Sequence, residues 1–195
     1  MNELLYQGHG SLRLTYNGVV AYIDPYAGEG YERKADIILI THFHYDHTAI
    51  DKVSKKEDTV ILTSENMLTN GEYKSVEVKG FKITAVVAEN KNHPRKKCVG
   101  YLVKTGDKLF YFAGDTSFVK EMEEYDKLKI DYAFLPCDGV YNMDNAEAEK
   151  CSRVIKAKNT VPIHNQADGF YDYEKAEKFN GYNKLIVYPS NKIVF

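Results

Sequence analysis

The chain has 195 residues, 28 acidic against 26 basic ones, a net charge of −2 and 44% hydrophobic content. This is enough chain to bury a substantial core in one domain spanning 1–195. The charge balance excludes the global basic field that recruits nucleic acid or anionic membrane. No apolar run approaches membrane-spanning length, and the start Met1–Gly8 lacks the charged and apolar regions of a signal peptide. A cytoplasmic protein is expected. The three cysteines, Cys98, Cys137 and Cys151, are odd in number and unpaired in spacing, as for reduced thiols.

In chain order, Ser11 to Ile23 reads as two strands joined by Asn17-Gly18, a strong hairpin signal. Asp24-Pro25-Tyr26 breaks the run. Asp36 to Ile40 is nearly continuous apolar strand, as for one buried on both faces. Thr48 to Lys55 reads as helix, Thr59 to Thr63 as strand, and Ser64 to about Asn70-Gly71 as a short helix. Tyr73 to Val78 and Phe81 to Ala88 are strand-like, followed by a polar loop from Glu89 to Lys97. Val99 to Val103 and Lys108 to Ala113 pair across Thr105-Gly106-Asp107. Helix is predicted for Phe118 to Leu128 and strand for Asp131 to Leu135. Asp144 opens a helix over Asn145 to Lys156 with a capping-box pattern through Glu147. Thr160 to Ile163 is strand, Asp172 to Phe179 helix, and Leu185–Tyr188 with Lys192–Phe195 a last strand pair. No repeat or linker divides the chain. The pattern predicts a layered α/β protein.

The densest chemistry is Thr41-His42-Phe43-His44-Tyr45-Asp46-His47, directly after the apolar Ile37–Ile40. At a strand end, His42 and His44 share a face because side chains two apart do so. Imidazoles with a carboxylate suit zinc, and also manganese or iron(II). Four such groups exceed what one catalytic metal takes from protein, which hints at two. His93, Asp115 and His164 each follow a predicted strand, where loops can bring distant ligands together. Seven groups then converge, enough for two metals sharing one carboxylate.

Here the chain resembles the metallo-β-lactamase fold superfamily, whose Thr-His-x-His-x-Asp-His signature is matched in full at 41–47. Gly114-Asp115-Thr116 looks like its bridging-aspartate motif and Pro162-Ile163-His164 like its last histidine motif. His93-Pro94, Val99-Gly100-Tyr101 and Leu135-Pro136-Cys137 resemble the small hydrolases related to ascorbate-6-phosphate lactonase. The resemblance implies a four-layer αββα sandwich. It also implies one metal held by His42, His44 and His93, a second by Asp46, His47 and His164, and Asp115 as bridge, with Asp46 and Asp115 the catalytic carboxylates. The family often places its third histidine directly after the strand, where this chain has Glu89-Asn90, so Asn90 is a polar alternative to His93.

Two divalent ions, zinc first with manganese or iron as alternatives, would activate a bridging water to hydroxide. An ester, lactone or phosphodiester of a small, anionic substrate would be hydrolysed. A nuclease on the same fold and a non-catalytic metal-binding or sensing protein are the rival readings, and no nucleic acid or membrane partner is expected. His9 reads as a satisfied structural histidine rather than a ligand, and Cys137 and Cys151 as packing residues. Arg95, Lys96 and Lys97 are candidates to capture a phosphate or carboxylate, or a solvated charge run. Asp138 and Tyr141 are candidate substrate contacts.

Overall fold

The computed structural model describes residues 1–195. Two six-stranded sheets pack face to face. The first takes β1 (Glu3–Gly8), β2 (Ser11–Tyr16), β3 (Val19–Ile23), β4 (Ala35–Ile40) and β5 (Lys55–Thr63) in chain order, with β14 (Lys192–Val194) antiparallel outside β1. The helix α1 (Ser64–Met67) and a two-residue hairpin, β6 (Leu68–Thr69) with β7 (Glu72–Tyr73), lead to the second sheet. There β8 (Ser75–Val78), β9 (Phe81–Val87), β10 (Val99–Thr105) and β11 (Lys108–Phe112) run antiparallel. Then β12 (Tyr132–Pro136) and β13 (Asn159–Ile163) join in parallel.

Strand alternation divides the core into three. In β4 every residue is buried: Ile37 and Leu39 face the second sheet, while Ile38 and Ile40 face outward against Tyr31 and Val53. In β11, Phe110 and Phe112 enter the space between the sheets, and Tyr111 turns the other way. Phe112 stacks on Phe134 of β12, ring centroids 5.1 Å apart. Each such buried ring contributes about 1.5–3 kcal/mol of burial. The far face of the second sheet is covered by α2 (Asn145–Ile155) and a 3-10 helix, Lys120–Leu128. Ala148, Cys151, Ser152 and Ile155 make one buried stripe on α2, and Met122 with Tyr125 make one on the 3-10 helix.

The expected αββα order is therefore present, but its layers are unequal. Over the first sheet the cover thins to the 25–34 loop and the 3-10 turn Ile50–Lys52. The helix predicted over Thr48 to Lys55 is that turn, and β5 begins earlier than its apolar residues suggest. The Lys55–Asp58 end of β5 is exposed, so no hydrophobic pattern marks it. The predicted Phe118–Leu128 helix is 3-10 rather than α. Helix α1 stops after one turn because Asn70-Gly71 forms the tip of the β6–β7 hairpin. The final strand pair does not form. Residues 185–188 stay irregular beside β13, and β14 (Lys192–Val194) pairs with β1 instead. Asp144 caps α2 by accepting from Glu147 N at 2.8 Å. The Glu147 carboxylate does not complete the box; it accepts from Phe118 N at 2.9 Å, tying α2 to the segment after Asp115. Helix α3 (Tyr173–Lys178) forms within the predicted 172–179 span and is capped by Asp172, which accepts from Lys175 N. No helix is long and apolar enough to cross a membrane.

Candidate metal centre

The strands β3, β4, β11, β12, β13 and β9 all point their C-terminal ends to one edge of the sandwich. From those ends come Asp24, the 41–47 loop, Asp115, Asp138, His164 and, across a short loop, His93. Sequence-distant groups meet there because the sheets bring their strand ends together. Gly114 permits the closest approach: at φ +63 it lies so near the 41–47 loop that a Cβ would meet Thr41 Cβ at 2.9 Å.

All seven groups singled out in the sequence converge. Asp115, buried, is the hub: its carboxylate lies 3.3 Å from His93 Nε2, 3.4 Å from His47 Nε2, 3.6 Å from His164 Nε2 and 4.0 Å from His42 Nε2. Ligand atoms of His42, His44 and His93 fall within 4.8 Å of one another, as do those of His42, His47 and Asp115. His9, Asp46, His47 and His164 form a third such group. The Nε2 atoms of His42, His47 and His164 are buried without a hydrogen-bond partner. Such orphaned groups carry a desolvation penalty of about 1–3 kcal/mol each unless something meets them. A cation between them and Asp115 would meet them all, so the donor set fits divalent metal.

The opposite ring nitrogens of His42, His47 and His93 are held in place, which sets their tautomers. Asp24 accepts from Thr41 N (2.8 Å), Thr41 Oγ1 (2.6 Å) and His47 Nδ1 (2.9 Å). With its hydroxyl hydrogen on Asp24, Thr41 Oγ1 can only accept from His42 Nδ1, 3.0 Å away. One buried carboxylate thereby aims two imidazoles. On the other side, Asn90 Oδ1 takes the Nδ1 hydrogen of His93 (2.8 Å) together with His93 N and Asn92 N, leaving His93 Nε2 directed at His44 Nδ1, 3.2 Å away. Asn90 faces the back of the His93 ring rather than replacing it. Such outer partners fix orientation and raise ligand basicity.

Electrostatics sort the groups by charge. Burial drives His42 down to about 2 and His164 to about 4, against the pull of Asp115. His93 is lowered by burial too. His47 is the exception: burial lowers it, but Asp115 and Asp24 outweigh this and raise it to about 9. Burial alone would raise Asp115, yet the surrounding histidines, His164 and His47 first, hold it well below the usual carboxylate range. Asp46 is lowered likewise, burial being outweighed by His9 and His47. Neutral imidazoles and ionised carboxylates are the forms that bind metal.

Three residues of this edge, His9, Asp24 and His164, have left-handed backbones with φ of +51, +44 and +42. Outside glycine that conformation costs about 1–2 kcal/mol per residue, and such strain gathers at functional sites. Both His9 ring nitrogens have partners, as its sequence context suggests: Nδ1 lies 3.1 Å from Gly169 O, Nε2 lies 3.0 Å from Asp46 Oδ2, and the ring is tilted 38° against that of His164 with centroids 3.5 Å apart. It supports Asp46 rather than standing apart, a role that needed the 9–46 proximity to be seen. Asp24 was missed altogether; its signal was a lone Asp-Pro at a strand end, indistinguishable from a turn.

Two expectations about substrate contacts change and one stands. Asp138 is buried, with Oδ1 accepting from Val140 N, Tyr141 N and Asn142 N and Oδ2 lying 3.4 Å from His164 Nδ1, so it faces the protein and not a substrate. Arg95 is committed to Glu89 and Glu121, each at 2.7 Å, and is no free anion trap. Tyr141 does stand at the mouth, which forms a 360 Å³ cavity with Phe43, His44, His93 and Asp168 on its walls. The three cysteines are buried and unpaired.

Paired sheets carrying a histidine–aspartate cluster on one strand-end edge define a metallo-β-lactamase fold. The chain belongs to the family described as Beta-lactamase superfamily domain, matched over residues 3–164. A UPF0173 metal-dependent hydrolase from Thermococcus onnurineus is 31% identical over 190 residues, covering 84% of each chain. A solved structure from Parabacteroides distasonis, named as a metal-dependent hydrolase, is 35% identical with TM-score 0.74, covering 93% of this chain and 90% of its own. The metallo-β-lactamase fold protein YhfI from Bacillus subtilis superposes at TM-score 0.74 over the full length of both chains, with 11% identity. That last likeness is one of fold alone.

Proposed function

We propose that this chain is a metal-dependent hydrolase that cleaves an ester, lactone or phosphodiester bond of a small molecule. The observation that carries the reading is the convergence of orphaned, buried imidazole nitrogens on Asp115. His42, His44 and His93 would hold one divalent ion, Asp46, His47 and His164 a second, and Asp115 both, zinc being the best match to the donors. Bound ions would supply Lewis acidity and bring a water molecule near its pKa at neutral pH. The protein's own part is orientation: Asp24 and Thr41 fix the His42 and His47 rings, Asn90 the His93 ring, and His9 the Asp46 carboxylate.

The cavity above these groups argues for catalysis over a closed structural or sensing site, since His44 and Asp46 line an opening of a size that suits a small ligand. Carboxylates at that mouth, Asp168 among them, disfavour a polynucleotide. The relatives' hydrolase names agree with the reading. Protein purified from zinc- or manganese-supplemented medium should carry about two metal equivalents. It should hydrolyse at least one member of a panel of esters, lactones and phosphodiesters, with activity removed by chelator and restored by metal. Folded protein that never exceeds trace metal would refute the assignment.

A further inference from the structure

The open side of this edge has two lobes, separated by Phe43 and His44, which line both. One is the mouth already described. The other is a 510 Å³ cavity beside His42 and His44, lined also by Ser64, Leu68, Lys96, Lys97 and Cys98. The two lobes differ in charge. The mouth carries Asp46, Asp115 and Asp168 with no lysine or arginine, whereas the second lobe carries two lysines against one carboxylate, Glu65.

Neither Lys96 nor Lys97 takes part in an ion pair, although Arg95 beside them is held by Glu89 and Glu121. Glu65 is exposed and leaves both ammonium groups free. In the same lining, Ser64 is 2% exposed and its Oγ is buried without a hydrogen-bond partner. An unmet buried hydroxyl in one cavity lining with two unpaired cations is matched by a group that accepts several hydrogen bonds and bears negative charge.

We propose that this second lobe is a subsite for a carboxylate or phosphate carried by the substrate, held by Lys96, Lys97 and the Ser64 hydroxyl. The substrate part of this proposal rests on the hydrolase reading; the anion-binding part does not. The charge difference between the lobes fixes an orientation. The anionic end lies toward Lys96 and Lys97, and the rest of the molecule crosses His44 into the aromatic-walled mouth, where Phe43, Tyr45 and Tyr141 offer apolar surface. The substrate class is therefore an acid or phosphate monoester that also bears the hydrolysable bond.

The test uses metal-loaded protein and two esters differing by one carboxylate, phenyl acetate and 4-acetoxybenzoate. In a Lys96→Gln/Lys97→Gln variant, KM for 4-acetoxybenzoate should rise roughly tenfold, the size expected for losing two exposed charge contacts. Its kcat, and both constants for phenyl acetate, should stay near wild type. Glu65→Gln removes the opposing charge and should lower KM for 4-acetoxybenzoate, a gain that a merely structural role would not give. Independently of turnover, sulfate titration followed by amide NMR should shift Ser64, Lys96 and Lys97 saturably in the wild type and not in the double variant. Those sulfate shifts with neither ester hydrolysed would support the anion site and count only against the hydrolase reading on these substrates. Sulfate binding without preference for the carboxylated ester would assign the lobe to a free anion and overturn its substrate role. Sulfate shifts unchanged by the lysine substitutions would overturn the site itself.

Discussion

The two halves of the proposed metal centre are built to different standards of restraint. His42, His44 and His93 form the open half: His44 is exposed, and the outer supports are Thr41 behind His42 and Asn90 behind His93. Asp46, His47 and His164 form the closed half. Asp24 braces His47, His9 braces Asp46 and packs on His164, and Asp138 lies behind His164. On the proposed two-ion reading, a centre preorganised on one side and adjustable on the other would keep one ion while the other side accommodates substrate. The difference lies in the supports, since both halves offer similar ligands.

Breaking both halves at once requires Asp115. Asp115→Asn should empty the two sites together, a loss beyond the roughly 10- to 100-fold cost of removing a supporting residue. Elemental analysis after dialysis reads this directly. Retention of one full equivalent would show that Asp115 serves a single half. The next largest effect weights the halves unequally. Asp24→Asn should weaken the closed site by roughly 10- to 100-fold, because His47 loses the carboxylate it bonds directly, and the open site less, through Thr41 and His42. Asn90→Ala should weaken only the open site, at the lower end of that range, through the freed His93 ring. Competition with a chromogenic chelator distinguishes two affinities, and equal responses to both substitutions would erase the asymmetry.

The smallest signal is in protons. His47, raised to about 9, must give up a proton to bind metal at neutral pH, whereas His42 and His164, lowered to about 2 and 4, give up none. Calorimetry in buffers of different ionisation enthalpy should find about one proton released per chain from His47 near pH 7.5, beyond any given up by metal-bound water, and the His47 share should fade above pH 9. Stability of the metal-free chain follows the same groups. Stabilisation from protonated His47 is complete below about 6.5 and lost as pH rises through about 9. His42 and His164 are buried neutral, so the unfolded chain binds more protons and stability falls as pH drops below about 6.5. Thermal melts across pH 4–10 should fall on both sides of neutrality.

Much of this edge was legible in sequence because its ligands sit in short motifs at strand ends: His42 to His47 after an apolar run, Asp115 and His164 each after another. The supports were not. Asp24 and Asn90 are ordinary turn residues until the fold places them behind an imidazole, and His9 meets Asp46 only through the first sheet. The same limit applies to β1 and β14 (Lys192–Val194), whose pairing joins Glu3 to Val194. Hydrophobic periodicity reports which face of a segment is buried, not which distant segment covers it. It also missed the start of β5, where the exposed Lys55–Asp58 carries no apolar signal.

The left-handed backbones of His9, Asp24 and His164 set a bound on how this protein can be improved. Glycine would relax each of these positions locally, yet glycine offers no imidazole or carboxylate. A lineage or library screened for heat resistance without screening for activity meets a standing temptation there, the usual exchange of function for robustness. The strain sits where the side chain's chemistry, not the backbone's ease, decides which residue serves.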